Sequence, residues 1–334
     1  MRHAPDDLAA SIGITPRFGA GRAAPCSDRE VAILLALCNG GRFIEEQLDS
    51  LAAQTHSEWR LTVSDDGSHD DGAERVRRWA ARHPDRQIRM LSGPKAGFAR
   101  NFLHLLAAVE PGTRFASFAD QDDVWLPGKL ARAVDALSKV PEREPALYCA
   151  RSWICDARLG NLHRSERWPL PPSFRNALVQ NIAAGNTIVV NRAALRLLQA
   201  AARRVEDVAA HDWWAYQVVT GAGGTVIHDS APSVLYRQHD ANVIGANRGL
   251  RAHLRRFWIV VRGHLRSWND LNIAALLRAA PYLTPENRAL VEAFAAARAA
   301  PPSLRPARLR RLGLHRQSRI GTGCLWIVAV LGLF

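Results

Sequence analysis

The chain has 334 residues, 48 % of them hydrophobic and 22 % charged, so it is long enough for one large α/β domain with an appendage. This balance excludes a mainly disordered protein. Five cysteines with irregular spacing and no C-x-x-C pair argue against a disulfide framework or a zinc site, and favour reduced thiols in a cytoplasmic setting. Residues 1–28 contain Asp, Pro and Gly without an apolar stretch, so we expect a flexible N-terminal segment and no secretory signal.

Strand and helix patterns alternate from residue 30 to about residue 140. Val31–Leu37 is a continuous apolar run, as expected for a strand that is buried on both faces. The later strands are predicted at Trp59–Ser64, Ile88–Leu91 and Phe115–Phe118, and the helices at Phe43–Gln54, Asp70–Arg82, Phe98–Val109 and Pro127–Val140. This order predicts an α/β, Rossmann-like fold with a mostly parallel sheet and helices on both faces.

The pattern loosens after residue 145. We predict strands at Ala146–Trp153, Thr187–Val190, Thr225–His228 and Ser233–Arg237, and helices at Arg192–Ala202, Val208–Thr220, Leu250–Trp268 and Asn287–Arg298. The predicted organisation is therefore an α/β domain over residues 29–247 and a helical region over residues 248–334. Within the domain, the regular alternation covers a first half, residues 29–125, and the looser pattern a second half, residues 126–247.

Most of the net charge of +13 lies near the C-terminus, where Arg248 to Ile320 contains fifteen arginines, no lysine and three acids. The segment that follows, Ile320–Phe334, is largely apolar but short for a membrane span. A basic stretch before an apolar tail is typical of a peripheral membrane contact, and a buried core helix is the alternative. No specific nucleic-acid partner is expected, because the acidic loops described next would repel a phosphate backbone.

Polar residues that directly follow buried strands mark the ligand crevice of a parallel sheet. Asp65-Asp66-Gly67-Ser68 follows the second predicted strand. A hairpin is the alternative for an Asp-Gly pair, but the sequence continues as a helix. We therefore expect Asp65 and Asp66 to accept hydrogen bonds from a base or a ribose, while Gly67 allows a sharp turn.

Three carboxylates stand within four residues in Asp120-Gln121-Asp122-Asp123, directly after the fourth predicted strand. Like charges so close together destabilise the end of a buried strand unless a cation compensates them. Mg²⁺ and Mn²⁺ prefer oxygen ligands and bridge carboxylates to phosphate oxygens. A helix cap would need only one of the three carboxylates, so the cluster favours a divalent metal site.

In their order and spacing these motifs resemble the inverting family 2 glycosyltransferases of the GT-A fold. The resemblance rests on Asp65-Asp66-Gly67-Ser68 followed by Asp120-Gln121-Asp122-Asp123-Val124-Trp125. The strings DQDDVW and YRQH resemble the rhamnosyltransferase-like bacterial branch of that family. Cys38-Asn39-Gly40 and Gly97-Phe98-Ala99-Arg100-Asn101 match its segments near the nucleotide and the donor. The resemblance covers residues 30–245 and is looser in the C-terminal helices. It implies that residues 29–125 form the nucleotide-binding half of a catalytic domain and residues 126–247 its acceptor half.

The resemblance, together with the chemistry of the loops, implies roles for individual residues. The nucleotide-sugar would be contacted by Asn39, Asp65, Asp66, Arg100, Asn101 and Asp120. Asp122 and His239 would hold Mg²⁺ or Mn²⁺ at the diphosphate, and Asp212 would be the general base that deprotonates the acceptor hydroxyl. His211 stands where the family usually has Glu, so it stays open whether His211 tunes the base or caps the helix.

Further candidates come from the residues near these motifs. Arg237 is expected to offset diphosphate charge, since a guanidinium forks onto phosphate oxygens. Trp213 and Trp214 offer stacking surfaces for a sugar, although such residues more often belong to a core. Gly185 and Asn186 precede an apolar strand and are expected on the acceptor side.

The sequence thus predicts a metal-dependent inverting hexosyltransferase that moves a sugar, rhamnose being the suggestion of the resembled branch, from a dTDP- or UDP-sugar donor. The acceptor would be a saccharide or a lipid-linked intermediate of cell-surface polysaccharide synthesis, reached in the cytoplasm at the inner face of the cell membrane. A nucleotidyltransferase acting on sugar phosphates is one alternative, disfavoured because Cys38–Arg42 is not an extended glycine-rich phosphate loop. A non-enzymatic membrane- or nucleic-acid-binding module is the other, and it leaves the acidic loops unexplained.

Overall fold

The computed structural model describes residues 28–239 and 264–334, and these form an α/β fold around one sheet. Its strands are β1 (Val31–Leu37), β2 (Trp59–Asp65), β3 (Ile88–Ser92), β4 (Phe115–Ala119), β5 (Val124–Trp125), β6 (Ala146–Cys155), β7 (His163–Arg164), β8 (Val189–Asn191) and β9 (Thr225–Arg237). The helices are α1 (Ile44–Ala52), α2 (Gly72–Arg82), α3 (Phe98–Ala107), α4 (Lys129–Ser138), α5 (Phe174–Ala177), α6 (Arg192–Ala202), α7 (His211–Gly221), α8 (His264–Arg278), α9 (Pro285–Ala299), α10 (Arg305–Arg311) and α11 (Arg319–Val330).

Strands β1 to β4 form a parallel sheet, as predicted. The strand order is β3-β2-β1-β4-β8-β6-β9-β5, and β1 runs parallel to β2 and to β4. Successive residues of β1 point to opposite faces, so Ile33 packs in the core with α1, α2 and α4, whereas Leu34 packs in the core with α3. Because both faces are covered, the apolar run Val31–Leu37 needs no polar alternation.

The strands that follow β4 are mixed in direction. β8 runs antiparallel to β4 and to β6, while β9 runs parallel to β6 and antiparallel to β5. The two strands predicted at Thr225–His228 and Ser233–Arg237 are one continuous strand, and this prediction is corrected. Irregular register opposite Ala150–Ser152 absorbs the turn-forming residues between them. β5 was not predicted, and its pairing with β9 brings the Asp120–Asp123 loop beside the end of β9.

The C-terminal helices α8 to α11 pack on the same face of the sheet as α7. Leu276, Phe294 and Leu325 lie in one continuous core with Trp214 and Tyr216. The predicted helical region therefore shares its core with the sheet domain. The predicted boundary at residue 247, the start of the helix predicted at Leu250–Trp268 and the flexible segment before residue 28 lie outside the described residues.

Two further expectations concern the described part of the chain. Its four cysteines, Cys38, Cys149, Cys155 and Cys324, are free thiols. Within residues 28–239 and 264–334, no helix is long and apolar enough to cross a membrane.

Candidate active site

The loops that follow β1, β2 and β4 meet at one edge of the sheet. The backbone N–H of Asn39 donates to Ser68 Oγ at 2.9 Å, and the N–H of His69 donates to Asn39 Oδ1 at 2.8 Å. Gln121 joins the third loop to the first, because it accepts from the Cys38 N–H at 2.7 Å and donates to the Cys38 carbonyl at 2.9 Å. The expectation that the two acidic loops border one crevice is therefore confirmed.

The two carboxylates after β2 have different surroundings. Asp66 accepts the backbone N–H of Lys95 at 2.6 Å through Oδ1 and that of Gly97 at 2.8 Å through Oδ2. Each oxygen of Asp66 thus accepts one backbone N–H, so the carboxylate holds the segment from Lys95 to Gly97 in place, and its expected contact with a base or a ribose stays a prediction. Asp65 accepts from the N–H and the hydroxyl of Ser68 through Oδ1 alone and stays partly exposed, so it keeps acceptor capacity at the crevice.

Arg100 and Asn101 are neighbours in α3 with opposite environments. Arg100 is exposed, and its expected contact with the donor stays a prediction. Asn101 is buried, and its amide donates to the Ser64 carbonyl at 2.9 Å while its Oδ1 accepts from the Ser64 hydroxyl at 2.5 Å. Because both atoms of the amide fasten α3 to β2, the expected contact of Asn101 with the donor is corrected to a structural role.

The loop after β4 concentrates negative charge. Burial and the nearby charges of Asp122 and Asp212 raise the pKa of Asp120 to about 8. Burial, Asp122 and Asp120 likewise hold the pKa of Asp123 well above its usual range, although Asn186 donates to it at 2.5 Å. These shifts identify a site where a cation would relieve the repulsion between the carboxylates.

Asp122 and His239 meet at the centre of this site. His239 Nε2 lies 2.7 Å from Asp122 Oδ2, and each side chain is 14 % exposed, so both reach the crevice surface. A carboxylate oxygen and an imidazole nitrogen are a suitable ligand pair for a divalent cation. The described residues contain no group of three or more His, Cys, Asp or Glu side chains arranged to hold a metal by themselves. The residues fit a cation that takes its remaining ligands from phosphate and water, as Mg²⁺ commonly does.

Arg237 lies behind this pair and not in the crevice. Its side chain is 2 % exposed, and its guanidinium donates to the Asp122 carbonyl at 2.8 Å, to the Ala157 carbonyl at 2.7 Å and to Glu46 at 2.5 Å. The expectation that Arg237 binds the diphosphate is corrected, because these protein acceptors hold its N–H groups. Arg237 instead supports the backbone of Asp122 from behind.

Asp212 lies in the first turn of α7, near the loop Asp120–Asp123. Its Oδ2 accepts from Asn181 Nδ2 at 2.9 Å and from the Gly185 N–H at 3.1 Å, and its Oδ1 accepts from the Trp213 N–H at 2.7 Å. Burial raises the pKa of Asp212 despite these hydrogen bonds, which makes the carboxylate a stronger base. Since Asp212 also contributes to the raised pKa of Asp120, the predicted base and the predicted metal site share one crevice.

His211 is buried in an aromatic box next to Asp212. Its imidazole stacks on Phe102 with 3.7 Å between ring centroids and meets Phe118 edge-on at 4.9 Å. Neither ring nitrogen has a hydrogen-bond partner among the described residues, and burial lowers the pKa of His211 to about 3. His211 is thus a neutral packing residue, and the alternative of a helix cap is not supported, because the residue preceding α7 makes no side-chain cap.

The predicted acceptor residues are mostly internal. Trp213 is buried and donates its indole N–H to the Ala177 carbonyl at 2.6 Å, and Trp214 is completely buried in the core. The expectation that they stack on a sugar is corrected. Gly185 contributes its N–H to Asp212, while Asn186 is buried against Asp123, so both lie beside the reactive groups but present no side chain to an acceptor.

Sequence reasoning missed three residues that support the site. Asn181 orients Asp212, and Gln121 joins two loops, but isolated amides carry no sequence signal. Lys129 is completely buried, donates to the Ser117 hydroxyl at 2.9 Å and lies over the ring of Trp125. A cation in the first turn of a helix opposes the helix dipole, and this was a readable sign of a nearby negative group. Asp123 is that group, since its charge raises the pKa of Lys129 against the larger lowering by burial.

Comparisons with known proteins agree with this geometry. The model of glycosyl transferase family 2 matches residues 32–198, which is half of the chain. A dTDP-rhamnosyl transferase of Shigella flexneri, RfbG, is 26 % identical over 245 residues, covering 68 % of this chain and 78 % of that protein. The UDP-Glc:alpha-D-GlcNAc-diphosphoundecaprenol beta-1,3-glucosyltransferase WfgD of Escherichia coli is 29 % identical over 112 residues, covering 34 % of this chain and 42 % of that protein.

Solved structures share the fold. The mannosyltransferase PcManGT from Pyrobaculum calidifontis, in complex with GDP-Man and Mn²⁺, has a TM-score of 0.54 at 21 % identity and covers 96 % of this chain and 84 % of that one. Residues 1–349 of TarS from S. aureus, in complex with UDP-GlcNAc, have a TM-score of 0.52 at 14 % identity, covering 85 % and 88 %. With the family model matched over β1 to α6 and the strand-end loops assembled in one crevice, the chain belongs to glycosyl transferase family 2 and is a glycosyltransferase with the GT-A fold.

Proposed function

We propose that this glycosyltransferase moves a sugar with inversion from a nucleoside-diphosphate donor to a saccharide or lipid-linked acceptor of cell-surface polysaccharide synthesis, with the help of a divalent metal. The observation that carries the proposal is the meeting of the Asp122–His239 pair with Asp120 and the oriented base Asp212. Inverting transfer requires these parts, namely a site for the diphosphate leaving group and a carboxylate that activates the acceptor.

Each residue has a defined task in the proposed reaction. Asp122 and His239 would hold the metal, whose positive charge stabilises the departing diphosphate. Asp65 reads the base or the ribose, Asp120 lies nearer the ribose, and Arg100 contacts the donor from its exposed position. Asp212 accepts the proton of the acceptor hydroxyl as the acceptor oxygen attacks the anomeric carbon from the face opposite the diphosphate.

The relatives indicate donors to test first. A relative named as a dTDP-rhamnosyl transferase covers two thirds of the chain, which supports dTDP-rhamnose. A second relative uses UDP-Glc with an acceptor on diphosphoundecaprenol, which supports UDP-sugars and a lipid-linked acceptor. A neighbour of the same fold is crystallised with Mn²⁺, which supports Mn²⁺ beside Mg²⁺. We place the reaction at the inner face of the cell membrane, where such acceptors are presented.

A donor screen tests the proposal. Purified full-length protein is incubated with dTDP-rhamnose, UDP-glucose and other nucleotide-sugars, each with Mn²⁺, with Mg²⁺ and with a chelator, and the released nucleotide is identified. Metal-dependent release of a nucleoside diphosphate is expected for one donor. Release of pyrophosphate from a nucleoside triphosphate and a sugar phosphate would instead establish nucleotidyl transfer, and release that persists undiminished in chelator would remove the metal from the mechanism.

A further inference from the structure

Helix α11 carries an apolar surface on the side that faces away from the core. The side chains on this side are exposed, with Ile320 at 82 %, Ile327 at 62 %, Val330 at 51 % and Leu331 at 63 %. Gly323 and Cys324 complete the same side, so no polar side chain interrupts it between Ile320 and Leu331. We call the four large side chains the apolar face.

The opposite side of α11 is also apolar. Leu325 and Ala329 are buried in the core shared with α9. A helix at a water-facing surface normally has a polar outer side, and a helix that is apolar all round is normally covered. Contiguous exposed apolar patches of this kind mark interaction sites. We therefore expect the apolar face to be covered by a binding partner.

Charge identifies the occupant. Residues 293–334 contain seven arginines and neither acidic residues nor lysine. Arg308, Arg310 and Arg311 of α10 and Arg319 at the start of α11 are exposed. Arg310, Arg311 and the half-buried ring of Trp326 line a groove of about 690 Å³ at the side of α11. An apolar strip bordered by arginine and tryptophan is complementary to the boundary between anionic headgroups and acyl chains.

We propose that α10 and α11 form a docking surface for an anionic lipid bilayer, with the apolar face inserted among the acyl chains and the arginines on the headgroups. The surface binds parallel to the membrane, since no helix of the described residues is long and apolar enough to span one. A second copy of the chain is the competing occupant, but paired arginine-rich surfaces would repel one another.

The docking surface is fastened to the loop that orients the base. The N–H of Gln317 donates to Gln180 Oε1 at 2.8 Å, and Arg316 Nη1 donates to the Val179 carbonyl at 3.3 Å. The next residue, Asn181, donates to Asp212. If the proposed function is correct, a docked enzyme thus holds its base close to the bilayer that presents a lipid-linked acceptor.

Vesicle flotation with the full chain tests the proposal. Wild-type protein is expected to float with vesicles of phosphatidylcholine and phosphatidylglycerol, and much less with phosphatidylcholine alone. The variant I320Q/I327Q/L331Q should lose binding by at least about tenfold, since each side chain loses its transfer into the acyl region. The variant R308Q/R310Q/R311Q should lose the preference for phosphatidylglycerol by about a hundredfold.

The matched control is Leu162→Gln, which changes a side chain that is 53 % exposed in the β6–β7 connection and should leave flotation unchanged. Thermal melts establish that the variants fold. Unchanged flotation of both triple variants would overturn the proposal, as would a wild-type dimer in solution that only I320Q/I327Q/L331Q dissolves. Metal-dependent donor hydrolysis, measured without vesicles, should survive in both variants. Flotation without hydrolysis for any donor would leave the docking surface standing and remove the proposed function.

Discussion

The two acidic loops at the crevice differ in how their carboxylates are satisfied. In the loop after β2, Asp65 and Asp66 accept hydrogen bonds from Ser68, Lys95 and Gly97. In the loop after β4, Asp120 and Asp123 are pushed toward protonation by burial and by mutual repulsion. In the first loop, donors of the protein stabilise the ionised carboxylates, whereas in the second loop burial and mutual repulsion disfavour the ionised carboxylates.

This difference indicates a structural role for the first loop and a functional role for the second. A carboxylate that accepts backbone N–H groups fixes a loop and adds stability. A carboxylate that is crowded by like charges costs stability, and such crowding is typical of functional sites. Substitutions in the two loops should therefore have different effects. In the loop after β2 we expect losses of stability, and in the loop after β4 we expect losses of activity.

The largest effect is expected for Asp212→Asn. The variant keeps the shape of the side chain but cannot accept the acceptor's proton, so kcat should fall by about a thousandfold. Nucleotide affinity, measured by calorimetry, should stay close to the wild-type value because the proposed partner of Asp212 is the acceptor hydroxyl and not the nucleotide. Asp207→Asn, an exposed residue just before α7, is the control. Full turnover by Asp212→Asn would assign the base to another residue.

The next effect is expected for Asp122→Asn. The amide still hydrogen-bonds His239 but lacks the negative charge that attracts a cation, so activity should fall by about a hundredfold. Its melting temperature in chelator should not fall below that of the wild-type protein, since one repelling charge is gone. Metal titrations of activity, with the exposed Asp135→Asn as control, measure the effect. A variant with wild-type metal dependence would contradict the assignment.

Asp66→Asn should act on stability. Its amide group would point a donor at one of the two backbone N–H groups that Asp66 now accepts, at a cost of roughly 2 kcal/mol in the free energy of unfolding. Denaturant titration measures this loss against Asp85→Asn, which removes an exposed carboxylate. The contrast between the loops would break down if Asp66→Asn kept full stability and lost only nucleotide affinity.

The last effect, on stability in acid, is expected for His211→Phe. Folding lowers the pKa of His211 to about 3, so its contribution to stability is complete above the unfolded value near 6.5 and declines as pH falls below it. Between pH 7 and pH 5 the wild-type protein should lose about 2 kcal/mol through this group, and His211→Phe should be spared that loss. Unfolding titrations at both pH values, with the exposed His69→Phe as control, compare the slopes. Equal slopes would mean that His211 is not buried as described.

The sequence predicted the fold correctly where a strand is buried on both faces. The run Val31–Leu37 identifies a strand because an apolar residue is acceptable at each of its positions in a doubly covered sheet. The pair Val124–Trp125 was missed since two residues carry no periodicity. Between Thr225 and Arg237, the turn-forming Asp229 and Pro232 predicted a break, but pairing with β6 carries the strand through it.

The charged residues of the candidate site could be predicted from the sequence, but the burial of its side chains could not. The clustered carboxylates around Asp122 are visible in the sequence, whereas Asp212 was predicted from its place before two tryptophans and from the family resemblance. Arg237, Asn101 and Trp214 have the right chemistry for a ligand, but tertiary packing turns them inward. Sequence reports which groups a side chain offers, whereas the direction in which it points depends on partners distant in the chain.

The buried amine of Lys129 has a practical consequence. The chain has only three lysines, of which Lys95 and Lys139 are exposed, while Lys129 is sealed beneath the acid loop. Among the lysine side chains, amine-directed reagents should label only Lys95 and Lys139 in the native protein. Labelling of Lys129 would appear as the loop after β4 and α4 separate, so mass spectrometry of that one lysine would follow the opening of this part of the protein without any engineered probe.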